Sequence, residues 1–146
     1  MIPTRAGFDD RCDQEWRRGN RSAAPLSLLM IEVDGTGTPD ASLHRVAAVL
    51  QDNLSRPGDC AARFADARFA VLLPGTDMVG TLIVAETLRK AVEALDAAPR
   101  MTVSLGATSL VPTREPALPS LIAAAEKALA AARQAGGNRV EHATPA

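Results

Sequence analysis

The amino-acid sequence predicts an α+β domain in which helices cover a single β-sheet, with a βαββαβ order at its centre. Segments with apolar residues at helical spacing alternate with short apolar runs that are typical of strands. Two of these runs follow each other without a helix between them, which indicates a hairpin. The chain has 146 residues, 47% of them hydrophobic, and we expect residues 1–146 to bury one core as one domain.

A helix over about residues 4–19 and a strand over 25–34 are predicted first. The helix has apolar side chains at i, i+4 and i+8, which are Phe8, Cys12 and Trp16, and a charged opposite face. We therefore expect Trp16 to lie in the core or to anchor the packing of this helix. The strand "PLSLLMIEVD" is short and apolar and follows a proline.

A second helix and a hairpin are predicted next. Thr38 is a typical N-cap, and Pro39 fits the first helical position. The segment "SRPGD" then has Pro-Gly at the two central positions expected of a type II turn. It leads into hairpin strands over 60–64 and 67–73, where Arg63 is expected to form an ion pair at the strand edge.

The remaining elements are a helix, a strand, a helix and a short strand. A helix over 76–97 is predicted with Thr76 as its N-cap, followed by "MTVSLGATSL", 101–110, whose alternation is typical of a half-buried strand. The alanine-rich segment 120–135 predicts a last helix ended by two glycines, and "NRVEHA" a closing strand. The core therefore extends over about residues 25–142.

Charge and composition exclude several classes of function. The formal net charge is −1, and the arginines are scattered among acids, which argues against nucleic acid or an anionic membrane as a partner. No apolar run is long enough to span a membrane and the N-terminus lacks the apolar core of a signal peptide, so we predict a cytoplasmic location without membrane insertion. Cys12 and Cys60 lack metal or redox spacing and are interpreted as two buried thiols.

Five segments, in a fixed order, carry a resemblance to a known family. They are "IPTRAGFDD", "PLSLLMIEVD", "GDCAARFADARFAVLLPGTD", "MTVSLGATSL" and "AAARQAGGNRV". Together they resemble the GGDEF, or diguanylate cyclase, domain family over nearly the whole chain. The resemblance implies a nucleotidyl-cyclase-like fold, a ferredoxin-like palm with an extra N-terminal helix, C-terminal helix and short strand. It also implies the family's chemistry, in which a homodimer condenses two GTP molecules into cyclic di-GMP with metal ions held by carboxylates.

The signature hairpin departs from the family pattern. The sequence "ADARF" stands where the family has GGDEF or GGEEF. Glycines there would let the backbone approach phosphates, whereas Asp66 brings a negative charge. Ala67 replaces a metal-binding acid, and Arg68 replaces the second acid with a base, so we expect the rate to fall by about a thousandfold or more. The degenerate positions are Ala65, Asp66, Ala67, Arg68 and Phe69.

Other parts of the implied catalytic site are also altered. The acid that the family has on its first strand falls on Glu32, and Glu32 and Asp34 are interpreted as vestigial metal ligands. The family's C-terminal Lys and Arg fall on Arg133 and Gly137, and the loop after the strand lacks the guanine-contacting stretches. We therefore expect no catalysis, no GTP binding, no metal and no cofactor, although Glu32 and Arg133 could still hold a weakly bound anion or metal.

One element of the family is intact. Its inhibitory product site is an Arg-x-x-Asp turn placed five residues before the signature, and "RPGD", 56–59, has that register. An Arg fork suits O6 and N7 of guanine, and a carboxylate suits the hydrogens on N1 and N2. The resemblance thus implies a cyclic di-GMP site at Arg56 and Asp59, with both side chains on one side of the loop. A further family arginine falls on Thr87, and only Arg89 and Lys90 lie close by, of which Arg89 is the candidate for ligand binding.

The sequence therefore predicts a catalytically inactive GGDEF domain that acts as a cyclic di-GMP receptor. The same turn is also an ordinary helix-to-strand connection, so a ligand-free module for protein interaction or dimerisation stays open, and a residual diguanylate cyclase is the less favoured third hypothesis. The partners expected are cyclic di-GMP and either a second copy of the chain or a signalling protein. The chain begins inside the family's opening motif, as a piece of a larger sensor protein or as a stand-alone domain.

Overall fold

The computed structural model describes residues 4–96, 100–113 and 118–145. Within these ranges the chain forms four helices and five strands, which confirms the predicted α+β fold. The elements are α1 (Arg5–Ser22), β1 (Leu26–Val33), α2 (Asp40–Asp52), β2 (Cys60–Ala65), β3 (Arg68–Pro74), α3 (Met78–Glu93), β4 (Val103–Leu110), α4 (Leu118–Gln134) and β5 (Val140–His142). None of these helices is long and apolar enough to cross a membrane.

The five strands form one sheet in the order β2-β3-β1-β4-β5. Strand β1 lies at its centre, antiparallel to both β3 and β4, whereas β5 runs parallel to β4. The register places Glu32 on β1 opposite Arg68 on β3 and opposite Ser104 on β4. The end of β1 is therefore the point where the hairpin strand and the β4 strand converge.

Helices cover both faces of this sheet. One core lies between the sheet and α2 and α3, and it includes Leu29 and Ile31 of β1. The other lies between the sheet and α1 and α4, and it includes Leu28 and Met30. Successive side chains of a strand point to opposite faces, so β1 is mostly apolar, with Ser27 and Glu32 as its polar residues, because both of its faces are buried.

The contact between α4 and β4 requires a glycine. A Cβ atom added to Gly106 would lie 2.2 Å from the carbonyl oxygen of Ala125 and 2.3 Å from the backbone nitrogen of Leu129. The alanine-rich face of α4 thus packs its backbone directly against β4. Because α4 covers this face, Ser104 and Thr108 are fully buried, and the prediction of a half-buried strand is wrong.

The N-caps of two helices differ from the predicted ones. Helix α2 begins after Pro39, which makes no side-chain capping bond, so Thr38 is not its cap. Helix α3 is capped by Asp77, whose carboxylate accepts a hydrogen bond of 2.9 Å from the backbone N–H of Gly80. Thr76 precedes this cap, and its hydroxyl instead meets an arginine of the 56–59 turn. In α3 the charged acceptor of aspartate occupies the capping position.

Other predictions agree with the structure only in part. Helix α3 ends at Glu93, before the predicted end near Ala97, a residue outside the described ranges. Trp16 is buried as predicted, and its indole N–H donates to the carbonyl oxygen of Thr113 at 3.0 Å. Cys12 is buried, whereas Cys60 is only half-buried, and both are free thiols.

The first turn of α1 is packed against strand β2. The guanidinium carbon of Arg5 lies 3.8 Å from the ring centroid of Phe64, within the range of a cation–π contact. The rings of Phe8 and Phe64 meet edge to face, with centroids 6.3 Å apart and an interplanar angle of 87°. These two contacts join the start of α1 to the end of β2, next to the hairpin loop.

Candidate functional site

The hairpin between β2 and β3 closes without glycine. Ala65 pairs with Arg68, so the loop is Asp66 and Ala67, one residue later than predicted. Neither residue needs a positive φ angle, and the register shifts between Arg63 and Ala65. The Arg63 guanidinium donates to the carbonyl oxygen of Asp66 at 3.0 and 2.6 Å, so it braces the loop in place of the predicted ion pair.

Glu32 is engaged by arginines on both of its oxygens. The Nε and Nη2 atoms of Arg68 donate to Oε1 at 3.2 and 3.0 Å, and Nη1 of Arg133 lies 2.5 Å from Oε2. The Glu32 side chain is only 16% exposed, whereas those of Arg68 and Arg133 are 30% and 47% exposed, so the carboxylate is shielded from water and the two guanidinium groups are partly solvated. Both carboxylate oxygens face guanidinium cations, and the adjacent Ala67 offers no side-chain oxygen.

Asp34 accepts three hydrogen bonds. Its carboxylate accepts from the hydroxyls of Thr102 and Ser104, at 2.7 and 2.6 Å, and from the backbone N–H of Asn138 at 2.9 Å. A Cβ atom on Gly137 would lie 3.0 Å from this carboxylate. Asp34 therefore ties β1 to β4 and to the loop before β5. The two hydroxyls stand in the "TVS" segment, which was the only signal in the sequence for this role.

These carboxylates do not fit a metal centre. Metal ligation would need free oxygens close together, yet Glu32 is paired with two guanidinium groups and Asp34 is held by three donors. Across the described ranges there is no group of three or more His, Cys, Asp or Glu side chains that could hold a metal ion. A cavity of about 490 Å³ opens beside the cluster, and its charged lining residues, Asp34 and Arg133, are both already engaged.

The 56–59 turn is held from both sides. The backbone N–H of Asp59 donates to the carbonyl oxygen of Arg56 at 3.1 Å, which closes the turn. The Arg11 guanidinium, from α1, donates to the carbonyl oxygen of Gly58 at 3.1 Å. The exposed Arg56 donates through Nη1 to the hydroxyl of Thr76 at 2.6 Å. The turn is thus a fixed platform between α1 and the start of α3.

Asp59 carries a carboxylate with unused capacity. It is half-buried, and its Oδ1 atom has no hydrogen-bond partner among the described residues. Burial raises the pKa of Asp59 above its ordinary value, while the charge and a backbone hydrogen bond of Arg56 act in the opposite direction. No ion pair within 4.0 Å joins the two side chains in the described structure. The Asp59 carboxylate can therefore accept a further hydrogen bond.

The two side chains of the turn line different cavities. Arg56 lines a cavity of about 260 Å³ together with Glu15 and Gly75. Asp59 lines a second cavity, of about 300 Å³, together with Arg11. The sequence predicted that both side chains would lie on one side of the loop; in the structure they line different cavities, although the charge of Arg56 still acts on the carboxyl of Asp59.

Arg89, the third candidate for ligand binding, is not brought to this turn. It pairs with Glu86 at 2.5 Å and with Glu93 at 3.6 Å, and it donates to the side-chain oxygen of Asn138 at 3.0 Å. Arg56 contacts Thr76, two residues before α3, and at 1.5 Å per helical residue Arg89 lies about 20 Å further along. Arg89 therefore anchors α3 to the loop before β5.

Comparison with known proteins links this geometry to one family. A family model described as "Diguanylate cyclase, GGDEF domain" matches residues 1–139. Diguanylate cyclase A of Treponema denticola is 33% identical over 129 residues, which cover 79% of this chain and 34% of that protein. Diguanylate cyclase DosC of Escherichia coli is 33% identical over 143 residues, covering 88% of this chain and 30% of that protein. The chain thus spans about a third of the length of these curated relatives.

A solved structure has the same fold. It contains the coiled coil and GGDEF domain of DgcB from Caulobacter crescentus in complex with cyclic di-GMP, with a TM-score of 0.85 and 25% sequence identity. The match covers 97% of this chain and 82% of that one. The sheet order and the helices on both of its faces are therefore those of a known architecture.

Proposed function

The chain belongs to the GGDEF domain family of diguanylate cyclases, and from that premise we propose that it is a catalytically silent member that acts as a cyclic di-GMP receptor. The receptor site is the turn that carries Arg56 and Asp59. DgcB, a structural neighbour, was crystallised with cyclic di-GMP, which makes this ligand the first to test. The chemistry of the turn and of the hairpin supports the two halves of the proposal separately.

The ion pairs of Glu32 support the proposal that the domain is catalytically silent. Phosphoryl transfer in this family needs metal ions that carboxylates hold against the phosphates. Here a metal ion would have to displace the guanidinium groups of Arg68 and Arg133, at 3.0 and 2.5 Å, and would find no second carboxylate at Ala67. The loop residue Asp66 would add negative charge beside an incoming triphosphate. The paired Glu32, the missing acid at Ala67 and the charge of Asp66 therefore each oppose metal-assisted phosphoryl transfer.

The 56–59 turn carries the receptor half. Arg56 is exposed, and its guanidinium can donate to O6 and N7 of guanine or stack on the base. Asp59 has a carboxylate oxygen without a partner among the described residues, and a bound N–H donor would satisfy it. Because α1 and the Thr76 hydroxyl hold the turn, little conformational entropy is lost when a ligand binds.

Calorimetric titration of cyclic di-GMP into the wild type and Arg56→Ala tests the receptor half. We expect binding at micromolar concentrations or tighter, about −8 kcal/mol, that is lost in Arg56→Ala. Arg45→Ala, which removes an exposed arginine from α2, is the matched control and should bind like the wild type. Absence of heat and of a thermal shift at high ligand concentration would refute the receptor half.

Incubation with GTP and Mg²⁺ or Mn²⁺ tests the catalytic half. We expect no cyclic di-GMP by chromatography under conditions in which an intact family member turns over. Turnover at a comparable rate would show that the Glu32 cluster rearranges and would refute the proposal of a silent site.

A second candidate is a ligand-free interaction module. Val79 and Ile83, one turn apart on α3, are 69% and 64% exposed, which is unusual for large aliphatic side chains. Concentration-dependent self-association that Ile83→Ser abolishes, in a chain that does not bind cyclic di-GMP, would favour this candidate.

A further inference from the structure

The two cysteines of the chain lie in the same core, although they are far apart in the sequence. Cys12 on α1 is buried, and the half-buried Cys60 at the start of β2 packs against the same cluster of apolar side chains. Both are free thiols. The chain has two cysteines in all, so an internal disulfide could join only these two residues.

Two contacts between α1 and the β2 segment lie on either side of these thiols. The rings of Phe8 and Phe64 meet with centroids 6.3 Å apart. The guanidinium of Arg11, which precedes Cys12, donates to the carbonyl oxygen of Gly58 at 3.1 Å. The α1 thiol follows Phe8 by one helical turn, and the β2 thiol lies between Gly58 and Phe64 in the chain. The two thiols therefore lie at corresponding positions along the contact of α1 with β2.

The side chains of both cysteines are directed into the space between α1 and the sheet. Cys12 belongs to the apolar stripe of α1, together with Phe8 and Trp16. Successive side chains of a strand alternate between its faces, so Cys60 shares a face with Ala62, which packs in the same core. No large rearrangement of either element is needed to bring the two side chains together.

The electrostatic interaction of the two thiols agrees with this placement. Burial is the largest cause of the raised pKa of Cys12, and the charges of Asp9, of an ionised Cys60 and of Asp13 follow in that order. Cys60 thus acts on Cys12 more strongly than the next residue in the chain does. Coulomb interactions weaken with distance, so the two sulfur atoms are near neighbours.

One of the two thiols is open to a small reagent. Cys60 lines a cavity of about 300 Å³ together with Arg11, whereas Cys12 is only 1% exposed. Burial raises the pKa of Cys60, and the charge of Arg11 acts in the opposite direction. The guanidinium thereby favours the thiolate, which is the form that reacts with oxidants. Cys60 is therefore placed to react first, and Cys12 to attack it from the interior.

We propose that Cys60 and Cys12 form an oxidation site, in which hydrogen peroxide oxidises Cys60 and Cys12 then closes a disulfide between α1 and β2. The Cys60 thiolate attacks one peroxide oxygen, the O–O bond breaks, and a sulfenic acid and water result. The Cys12 sulfur then attacks the sulfenic sulfur, the S–O bond breaks, and the hydroxyl leaves as water with the thiol proton. Two thiols are oxidised to one disulfide while one peroxide is reduced to two waters.

This inference is independent of the proposed function, because neither thiol belongs to the 56–59 turn. The disulfide would close a loop of about 50 residues and so restrict the unfolded chain. We expect the oxidised protein to melt about 10 °C higher than the reduced one. The increase should disappear when dithiothreitol reduces the disulfide.

Peptide mapping of the native protein tests the site. The reduced chain is treated with hydrogen peroxide at about pH 8, where thiolates begin to form, the remaining thiols are blocked, and an unreduced digest is analysed by mass spectrometry. We expect a pair of peptides joined through Cys12 and Cys60 in monomeric protein. Absence of this pair, with Cys60 either unreacted or oxidised to a sulfinic acid, would overturn the proposal. Disulfides formed only between chains would overturn it as well.

Two matched variants test the order of the steps. Cys12→Ser lacks the attacking thiol, so peroxide should leave a sulfenic acid on Cys60 that dimedone labels. Cys60→Ser should keep Cys12 as a free thiol under the same conditions. Dimedone labelling of Cys12 in Cys60→Ser, to the extent seen for Cys60 in the other variant, would contradict the proposed order. Circular dichroism verifies that the variants are folded, and the wild-type map decides the proposal if either is not.

Discussion

Replacing Arg68 by alanine should destabilise the domain by about 1–3 kcal/mol, because Glu32 would lose two charge-assisted hydrogen bonds. The Glu32 and Arg68 side chains are 16% and 30% exposed, so the pair lies between an exposed ion pair, worth about 0–1 kcal/mol, and a buried one, whose disruption costs about 3–5 kcal/mol. Arg133 still holds the second oxygen. For a chain of this length each kcal/mol lowers the melting temperature by about 3 °C.

Urea unfolding followed by circular dichroism measures this effect in wild type, Arg68→Ala, Glu32→Ala and the double variant. We expect the double variant to be less destabilised than the sum of the single ones, since removing both partners leaves no unpaired carboxylate. Arg63→Ala is the control, because its hydrogen bonds to a backbone oxygen are exposed. A loss below about 0.5 kcal/mol for Arg68→Ala, with additive single effects, would refute the reasoning.

Three further predictions follow from the packing and the pKa shifts. Gly106→Ala should lower the free energy of unfolding by about 3 kcal/mol or more, since its Cβ would meet backbone atoms of α4 at 2.2 Å; a melting temperature equal to the wild type would contradict this. Burial raises the pKa of Cys12 to about 12, so only about one Cys12 thiol in 10⁴ is ionised at pH 8. A thiol reagent should therefore label the half-buried Cys60 before Cys12 in the native protein. Mass spectrometry of partly labelled protein tests this order, and labelling of Cys12 first would contradict it. The raised pKa of Asp59 means that the folded state keeps a proton which the unfolded state releases, so wild-type stability should fall as pH rises from about 3.8 through the folded value, and Asp59→Asn should lack this loss. Equal pH profiles of unfolding for the two proteins would exclude it.

The fold was predictable because the pattern of apolar residues that indicates each helix or strand extends over several residues. Helix α1 has a periodic stripe, Phe8, Cys12 and Trp16, whereas β1 has a nearly continuous apolar run. Side chains of both elements pack in the same core. The half-buried prediction for β4 failed because its polar side chains are small enough to lie under α4, and sequence alternation does not reveal a second covering helix. The predicted N-caps of α2 and α3 were wrong by one residue each, because the exact end of a helix is poorly determined by sequence where adjacent residues can both precede it.

The candidate site was predictable in part. The positions of the 56–59 turn and of the hairpin follow from the sequence order, to within one residue for the hairpin loop. The pairing of Glu32 with Arg68 and the cavities that Arg56 and Asp59 line do not follow from it, because they depend on how the strands pair and on where each side chain packs. The burial of Glu15, which is only 3% exposed, could not be predicted, since a glutamate among arginines on a helix is normally solvated.

The contact of α1 with Phe64 has a mechanical consequence. Arg5 and Phe8 both bear on the ring of Phe64, and Phe64 stands directly before Ala65, where the hairpin turns. A displacement of the first turn of α1 would therefore act on the sheet residue that lies one position before the end of β2, next to the hairpin loop.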